Sequence, residues 1–414
     1  MTTVEVWLDD DSLGPAILVG RLGKNASRSG DTVRFDYDQA WLASNGVAAF
    51  ALDYELPLVG GAHYAPAGAD QLSAAFLDCS PDRWGKMLME RREAIVARQQ
   101  GRKVQMLRAW DFLLGVNDES RMGALRLKDP QSGRFLDFHG LSAPPLTDLR
   151  VLEDAAGRIE LGDDADIASW IMQLVAPGAS LGGARPKASF RDADGSLWLA
   201  KFPSREDRRD VGLWELLAHQ LSAAAGIDVP PARVLRLSDR GHTFAVRRFD
   251  RTPTSRRHYS SAMTRLARVD SDGASYLDVV QVIETGGAST RIDAQLEQLF
   301  RRALFNVLIG NRDDHLRNHG FLREGNGWVL SPAFDVNPNP DKGEHVLTLD
   351  GADGSPDSAL LVATHGFYRL GAGRAAEVEV EVRNAVRPWA DVARKLGLRS
   401  AEVERMRDVI DAER

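Results

Sequence analysis

A short polar segment in the C-terminal half of the chain carries the residues best suited to chemistry. Residues 311–318 read Asn-Arg-Asp-Asp-His-Leu-Arg-Asn, which places five ionisable groups within eight positions. Asp313 stands five positions before Asn318, and Asp335 follows further along. A carboxylate can accept the proton of an attacking hydroxyl, and amide and carboxylate oxygens are ligands that Mg²⁺ prefers. The residue types therefore indicate a general base beside a magnesium site.

The spacing of these residues is typical of one reaction class. Protein kinases place a catalytic Asp five residues before an Asn, and a second, metal-binding Asp lies downstream after a strand. Here a short apolar run at residues 328–330 separates Asn318 from Asp335. The alternative is a polar surface turn that holds a metal-free cluster of ion pairs. On spacing alone the match is weak, because Asp and Asn occur five residues apart in many chains.

Two charged residues upstream match the other parts of a kinase site. Lys201 lies in a predicted strand over residues 197–202, and Glu215 lies in a predicted helix over residues 211–224. In kinases a strand lysine contacts the ATP phosphates and a helix glutamate pairs with it. Each residue also has a simpler interpretation, as an exposed lysine at a strand end and a solvated helix glutamate. Their order ahead of the polar segment favours a kinase.

A glycine-rich turn at residues 178–183 precedes both of them. It is not a Walker A loop, because Gly183 is followed by Ala-Arg-Pro-Lys, and it lacks the pattern G-x-G-x-x-G. Its backbone N–H groups, which include those of Gly182 and Gly183, could cradle phosphates, and Lys187 could add a point charge. A flexible hairpin loop is the alternative.

The elements that must position these residues alternate between β-rich and helical segments. Period-two alternation predicts strands, and apolar residues at helical spacing predict helices. Beyond residue 275 the pattern is mostly helical apart from residues 311–340. We expect an α+β, bilobal protein-kinase-like fold, with a β-rich N-terminal subdomain over residues 1–135, a mixed N-lobe over 136–255 and a mostly α-helical C-lobe over 256–414. The predicted strands include residues 4–8, 17–22, 32–37, 187–190, 197–202, 232–237 and 243–249, and the predicted helices include residues 84–99, 107–114 and 211–224.

Composition sets outer limits on function. The 414 residues are 43% hydrophobic and carry a net charge of −7. A mildly acidic chain is a poor autonomous nucleic-acid binder, so any contact with DNA should come mostly from a partner. Cys79 is the only cysteine, which excludes an internal disulfide. The chain also shows no signal-peptide pattern and no long apolar run. Together these features predict a cytoplasmic protein with no membrane contact.

Over nearly its whole length the chain resembles the HipA family of bacterial toxin kinases. The N-terminal part matches at Val-Glu-Val-Trp-Leu (4–8), at Phe-Asp-Tyr (35–37) and at Pro-Asp-Arg-Trp-Gly (81–85). The rest of the chain matches at several short segments, none of which is diagnostic by itself. These are residues 123–126, 180–187, 201–203, 248–251, 273–276, 311–318 and 332–335.

The resemblance implies a role for each matching residue. Asp313 would be the catalytic base, and Asn318 and Asp335 would hold Mg²⁺. ATP would be bound by Lys187, Lys201, Glu215, Arg247, Phe249, Gly182 and Gly183. Ser180 would be an autophosphorylation site, where a phosphate of roughly −2 charge would eject the loop and inactivate the protein.

The resemblance also implies a biological role. Such proteins phosphorylate a protein serine, with an aminoacyl-tRNA synthetase as the substrate class and growth arrest as the outcome. Their partner is a HipB-like helix-turn-helix antitoxin, through which the complex reaches DNA. Two departures bear on this. Arg247 stands where some members carry Glu, which puts one hydrogen bond to adenine in doubt, and no glycine follows Asp335.

Two other functions fit parts of the pattern. A small-molecule phosphotransferase of the aminoglycoside-kinase type shares the Asp-to-Asn loop and would need no antitoxin. A catalytically weak corepressor would only bind a DNA-binding antitoxin. The complete set of Lys201, Asp313, Asn318 and Asp335 argues against loss of catalysis.

Overall fold

The computed structural model describes residues 2–25, 31–44, 49–65, 72–136, 143–162, 174 and 183–410. The chain divides into two compact units. The first unit comprises Met1–Arg205 with Arg247–Ser260, and the second comprises Glu206–Val246 with Ser261–Arg414. No described helix is both long enough and apolar enough to cross a bilayer.

An antiparallel sheet of five strands forms the N-terminal part of the first unit. Its strands are β1 (Thr2–Leu8), β2 (Ile17–Asn25), β3 (Thr32–Tyr37), β4 (Ala62–Tyr64) and β5 (Leu125–Lys128), in the order β4-β3-β2-β1-β5. Alternation determines which face is buried. Val4, Val6 and Leu8 of β1 lie in the core, while the residues between them are partly exposed. The strand predictions for residues 4–8 and 32–37 are confirmed.

Five helices and a hairpin complete the first unit. The helices are α1 (Gln39–Ala43), α2 (Ala74–Leu77), α3 (Arg83–Gln99), α4 (Ala109–Leu114) and α5 (Leu149–Leu161). The side chain of Asp82 caps α3 by accepting a hydrogen bond from the Gly85 N–H at 2.9 Å. The hairpin pairs β6 (Lys187–Arg191) with β7 (Leu197–Lys201), as the sequence predicted. Its turn needs Gly195, whose φ of +79° lies in the left-handed region.

The second unit begins with a helix and a hairpin. Helix α6 (Val211–Ala224) has the bounds that the sequence predicted. The antiparallel strands β8 (Ala232–Ser238) and β9 (Gly241–Arg247) follow it. Strand β10 (Tyr259–Ser261) has its first two residues in the first unit. The remaining elements of the second unit are α7 (Ala262–Arg265), α8 (Tyr276–Gly286), α9 (Ile292–Ile309), β11 (Gly320–Glu324), β12 (Gly327–Leu330), α10 (Ser358–Ala363), α11 (Ala372–Val386), α12 (Trp389–Lys395) and α13 (Ser400–Ile410).

Helix α9 forms the centre of the second unit and sets the start of the polar segment. It is buried on nearly every side from Leu299 to Ile309, and the buried residues include the polar Arg301, Arg302 and Asn306. It ends at Gly310, where φ is +71°. A Cβ at Gly310 would lie 2.1 Å from Val409 Cγ1, so both conformation and space require glycine. Residues 311–318 therefore leave the core at a defined point.

Candidate active site

The polar segment between α9 and β11 is anchored by one carboxylate. Asp314 is buried, and its Oδ2 accepts three hydrogen bonds. The donors are the Tyr276 hydroxyl at 2.7 Å, Asn306 Nδ2 at 2.9 Å and His319 Nε2 at 2.7 Å. These partners come from α8, from α9 and from the residue just before β11. Asp314 therefore ties the segment to three elements of the second unit.

The environment of Asp314 keeps it ionised. Burial by itself raises the pKa of this carboxyl, but the charge and hydrogen bond of His319 and the bond from Tyr276 outweigh burial, so the pKa is lowered. Burial, reinforced by the negative charge of Asp314, raises the pKa of Tyr276 well above its usual value. Tyr276 therefore stays protonated and acts as a hydrogen-bond donor.

Asp313, in contrast, is exposed. Its side chain is 58% exposed and forms an ion pair with the ammonium group of Lys342. The two adjacent carboxylates thus differ in environment, since Asp314 is enclosed by donors and Asp313 is accessible. Of the two, Asp313 is the carboxylate that an external hydroxyl can reach.

The predicted metal ligands meet one structural test. Asn318 is buried, and its Oδ1 has no hydrogen-bond partner among the described residues. A buried acceptor is costly to leave without a partner, and an amide oxygen with no protein partner can coordinate a cation. Asn318, Phe334 and Val336 line one small cavity, so the neighbours of Asp335 lie close to this oxygen. Asp335 itself has a φ of +59°, an uncommon conformation that is concentrated at functional sites.

An amide and a carboxylate would suffice to hold Mg²⁺. The described residues contain no cluster of three His, Cys, Asp or Glu side chains that could hold a metal. Mg²⁺ does not need one, because it is usually bound through one or two protein carboxylates together with water and substrate phosphates. The pair Asn318 and Asp335 fits that pattern.

Two predicted ATP ligands in the first unit lie opposite each other. Lys187 of β6 and Lys201 of β7 are paired in the hairpin register, so their side chains share one face. Both are buried. The Lys187 ammonium lies 2.5 Å from Asp82 Oδ2 and 3.4 Å from the Gly183 carbonyl. The interpretation of Lys201 as an exposed strand-end residue is therefore wrong.

The other predicted ATP ligands have different environments. Gly183 is exposed with a φ of +90°, and Arg247, the last residue of β9, is half-buried. The Phe249 ring lies 6.1 Å from the Tyr259 ring. Glu215 of α6 is buried, so the interpretation as a solvated helix glutamate is also wrong. Ser180 and Gly182 lie outside the described residues.

Several residues around these sites were not identified from the sequence. The role of Tyr276 was missed, although it ends the matching segment 273–276, and that of Asp82 was missed inside the segment 81–85. Asn306 and His319 flank the polar segment but carry no separate motif. Lys342 gave no signal, because its contact with the polar segment comes from 29 residues away.

Comparison with known proteins assigns the family. The family model described as the HipA-like C-terminal domain matches residues 179–412. The chain belongs to this family. The resemblance found in the sequence is thereby confirmed.

Among curated relatives, Y4mE of Sinorhizobium fredii strain NGR234 is 26% identical over 80% of this chain and 76% of its own length. Y4dM of the same organism is 25% identical over 54% of each chain. The names of both mark them as candidate kinases. The match spans only about half the length of Y4dM.

A solved structure extends the similarity to the whole chain. HipA of Shewanella oneidensis MR-1, in a complex with HipB and operator DNA, aligns over 99% of this chain and 95% of its own. The TM-score is 0.66 at 17% identity, which establishes the fold. The predicted α+β kinase-like fold is therefore confirmed, and the family and its relatives support a kinase-like function.

Proposed function

We propose that the protein is an ATP-dependent serine/threonine protein kinase and the toxin of a toxin–antitoxin pair. The main observation behind the proposal is that two adjacent carboxylates differ in accessibility. Asp314 is buried under three hydrogen bonds, which leaves Asp313 exposed at a fixed position. The unsatisfied Asn318 Oδ1 lies on the same short segment. A site for phosphoryl transfer requires an accessible base and oxygen ligands for the metal ion.

In this proposal Asp313 accepts the proton of a serine or threonine hydroxyl. The hydroxyl oxygen forms a bond to the γ-phosphorus of ATP, the bond from that phosphorus to the β,γ-bridging oxygen breaks, and ADP leaves with the electron pair. Asn318 and Asp335 would hold Mg²⁺, which neutralises negative charge on the phosphates when it is bound. Lys201 would contact the ATP phosphates.

The remaining nucleotide-binding residues follow from the family resemblance. Glu215, Arg247, Phe249, Gly182 and Gly183 are proposed to complete the ATP site. Lys187 is proposed as a further contact, although its ammonium is engaged by Asp82 in this structure.

Regulation and partners belong to the same proposal. Autophosphorylation of Ser180 would place negative charge in the loop that binds phosphates. A HipB-like helix-turn-helix antitoxin is the proposed partner, supported by the fold that this chain shares with a HipA solved with HipB and DNA. DNA would be reached through that partner, because the net charge of −7 disfavours direct binding. An aminoacyl-tRNA synthetase is the proposed substrate class.

The test is phosphate transfer from γ-labelled ATP with Mg²⁺, in the presence and absence of a panel of aminoacyl-tRNA synthetases. The control is Asp313→Asn, which keeps the shape of the side chain and removes its basicity. We expect transfer by the wild type and a loss of about 10²-fold or more in the variant, the range for removal of a general base.

Four results would refute parts of the proposal. Absence of transfer to any protein, including the kinase itself, would refute the kinase assignment. Full activity of Asp313→Asn would refute the choice of base. Transfer to an aminoglycoside instead of a protein would favour the small-molecule phosphotransferase, and self-labelling that persists in Ser180→Ala would refute the autophosphorylation site.

A further inference from the structure

The residues after Asp335 are fastened along the polar segment. The Asn337 N–H donates to Asn311 Oδ1 at 3.3 Å, and the Asn339 N–H donates to the Gly310 carbonyl at 2.8 Å. Both bonds join residues that follow Asp335 to the end of α9 and the start of the polar segment. The chain that leaves Asp335 is therefore held against the loop that carries Asp313.

Lys342 lies at the end of this fastened stretch and touches two consecutive residues of the polar segment. Its carbonyl accepts a hydrogen bond from Arg312 Nη1 at 2.6 Å. Its ammonium group forms the ion pair with Asp313. The Arg312 side chain is largely buried, so the backbone of Lys342 is fixed and only its four-carbon side chain can vary.

The neighbouring residue Asp341 is also restrained. Its two carboxylate oxygens pair with Arg405 of α13 at 2.8 Å and with Arg209 at 3.5 Å. Arg209 in addition donates to the Pro338 carbonyl at 3.2 Å. Arg209 and Arg405 thus restrain the segment that precedes Lys342, and the position of its ammonium group beside Asp313 follows from these contacts.

We propose that Lys342 is a positioning residue for the phosphoryl-transfer reaction and acts through Asp313. Asp313 is exposed and has no hydrogen-bond donor besides Lys342 among the described residues. Without the ammonium group, its carboxylate would sample several rotamers, and only some would face the substrate hydroxyl. The ion pair selects one orientation before the substrate arrives. This inference rests on the kinase function proposed above.

The exposure of the pair sets the size of the effect. The side chains of Lys342 and Asp313 are 40% and 58% exposed, so water and salt weaken their attraction. Exposed ion pairs contribute about 0.2–1 kcal/mol, which corresponds to roughly 1.4-fold to fivefold in an equilibrium. We therefore expect Lys342→Met to lower kcat by about 1.4-fold to fivefold. The KM for ATP should stay within about twofold, because the pair does not bind the nucleotide.

The experiment compares kcat and KM for wild type, Lys342→Met, Lys342→Arg and Asp313→Asn, with thermal unfolding of each protein as a check on folding. Lys395→Met is the matched control, because Lys395 is exposed on α12 of the same unit. We expect Lys342→Arg to restore more than half of the wild-type kcat, since arginine also pairs with carboxylates. Raising the salt concentration should lower kcat of the wild type toward that of Lys342→Met.

The outcomes separate the two proposals. If the wild type transfers phosphate, Asp313→Asn does not, and Lys342→Met retains or exceeds the wild-type kcat, the role of Lys342 is refuted and the kinase assignment stands. A fall in kcat that Lys342→Arg fails to restore, with an unfolding temperature lowered in parallel, would show a merely structural role and also refutes the inference. Absence of transfer by every protein would refute the kinase assignment and this inference together.

Discussion

Removal of one hydroxyl group tests whether Asp314 anchors the candidate active site. In Tyr276→Phe the aromatic ring remains, and with it the edge-on packing against His319 at 5.6 Å between ring centroids. The hydrogen bond of 2.7 Å that the hydroxyl donates to Asp314 is lost, together with the one of 3.1 Å that it accepts from Asn306 Nδ2. Both residues are buried, so water cannot replace the missing donor. A hydrogen bond to a charged group contributes about 1.5–3 kcal/mol, and we expect the free energy of unfolding to fall by that amount.

The pH dependence of this loss follows from the pKa of Asp314. A carboxyl whose pKa is lowered on folding stabilises the protein above its unfolded pKa, and this stabilisation is lost as the pH falls through the folded pKa. The Tyr276 hydroxyl is one of the groups that lower the pKa of Asp314. The difference in the free energy of unfolding between wild type and Tyr276→Phe should therefore be largest at pH 7. It should decrease below about pH 4, which is the pKa of an aspartate in an unfolded chain.

The assay is urea unfolding at pH 7, followed by far-ultraviolet circular dichroism and by tryptophan fluorescence so that a transition of only part of the chain is detected. Tyr64→Phe is the matched control, because Tyr64 is exposed on β4 and its change should stay within about 0.5 kcal/mol. The anchoring role of Asp314 would be refuted if Tyr276→Phe were as stable as this control. Phosphate transfer by Tyr276→Phe should also be slower, since the position of Asp313 depends on Asp314.

Three further predictions concern groups elsewhere in the two units. Burial lowers the pKa of His345 to about 4, although the charge of Asp314 opposes this shift. The unfolded chain therefore binds a proton there more readily than the folded protein does. The free energy of unfolding should fall by about 1.4 kcal/mol for each pH unit as the pH drops from 6.5 to 4. Asp82→Asn should lower the free energy of unfolding in urea by about 3–5 kcal/mol, because it removes the carboxylate charge that lies 2.5 Å from the buried Lys187 ammonium. Asn318→Ala should raise the Mg²⁺ concentration for half-maximal phosphate transfer at least about tenfold, through loss of the free Oδ1.

Matched variants accompany each of these predictions. His345→Gln should flatten the loss of stability between pH 6.5 and 4, and an unchanged slope would contradict the role of His345. Lys187→Met combined with Asp82→Asn should be more stable than Asp82→Asn alone, because the buried ammonium charge is removed together with the carboxylate charge. Asn318→Asp keeps an oxygen ligand and should need less Mg²⁺ than Asn318→Ala, so equal requirements would argue against metal binding.

Local sequence patterns were sufficient for much of the secondary structure. Helix α6 has the predicted bounds because its apolar periodicity is continuous and Gly226, in a left-handed conformation with a φ of +74°, follows it. Strand β3 likewise has the predicted bounds. Such patterns depend on residues three or four positions apart in a helix and two apart in a strand, so they can be read without knowledge of the fold. The family resemblance rests on the same kind of local information.

Tertiary structure decided which of the candidate residues are accessible and which are enclosed. Asp313 and Asp314 are adjacent and identical in type, and only the positions of Tyr276, Asn306 and His319 bury one and expose the other. The buried state of a charge depends on partners brought together by folding, and these partners are separated in sequence by up to 38 residues.

The same reasoning applies to the lysines. Nothing in the sequence indicated that the Lys187 ammonium lies against Asp82, which is 105 residues away along the chain. Lys342 had no motif, yet it meets Asp313 because the chain after Asp335 is fastened to the polar segment. The sequence alone identified the family and suggested the proposed reaction class and the residue types of the site. The fold decided their burial and pairing, because both depend on contacts between residues that are far apart along the chain.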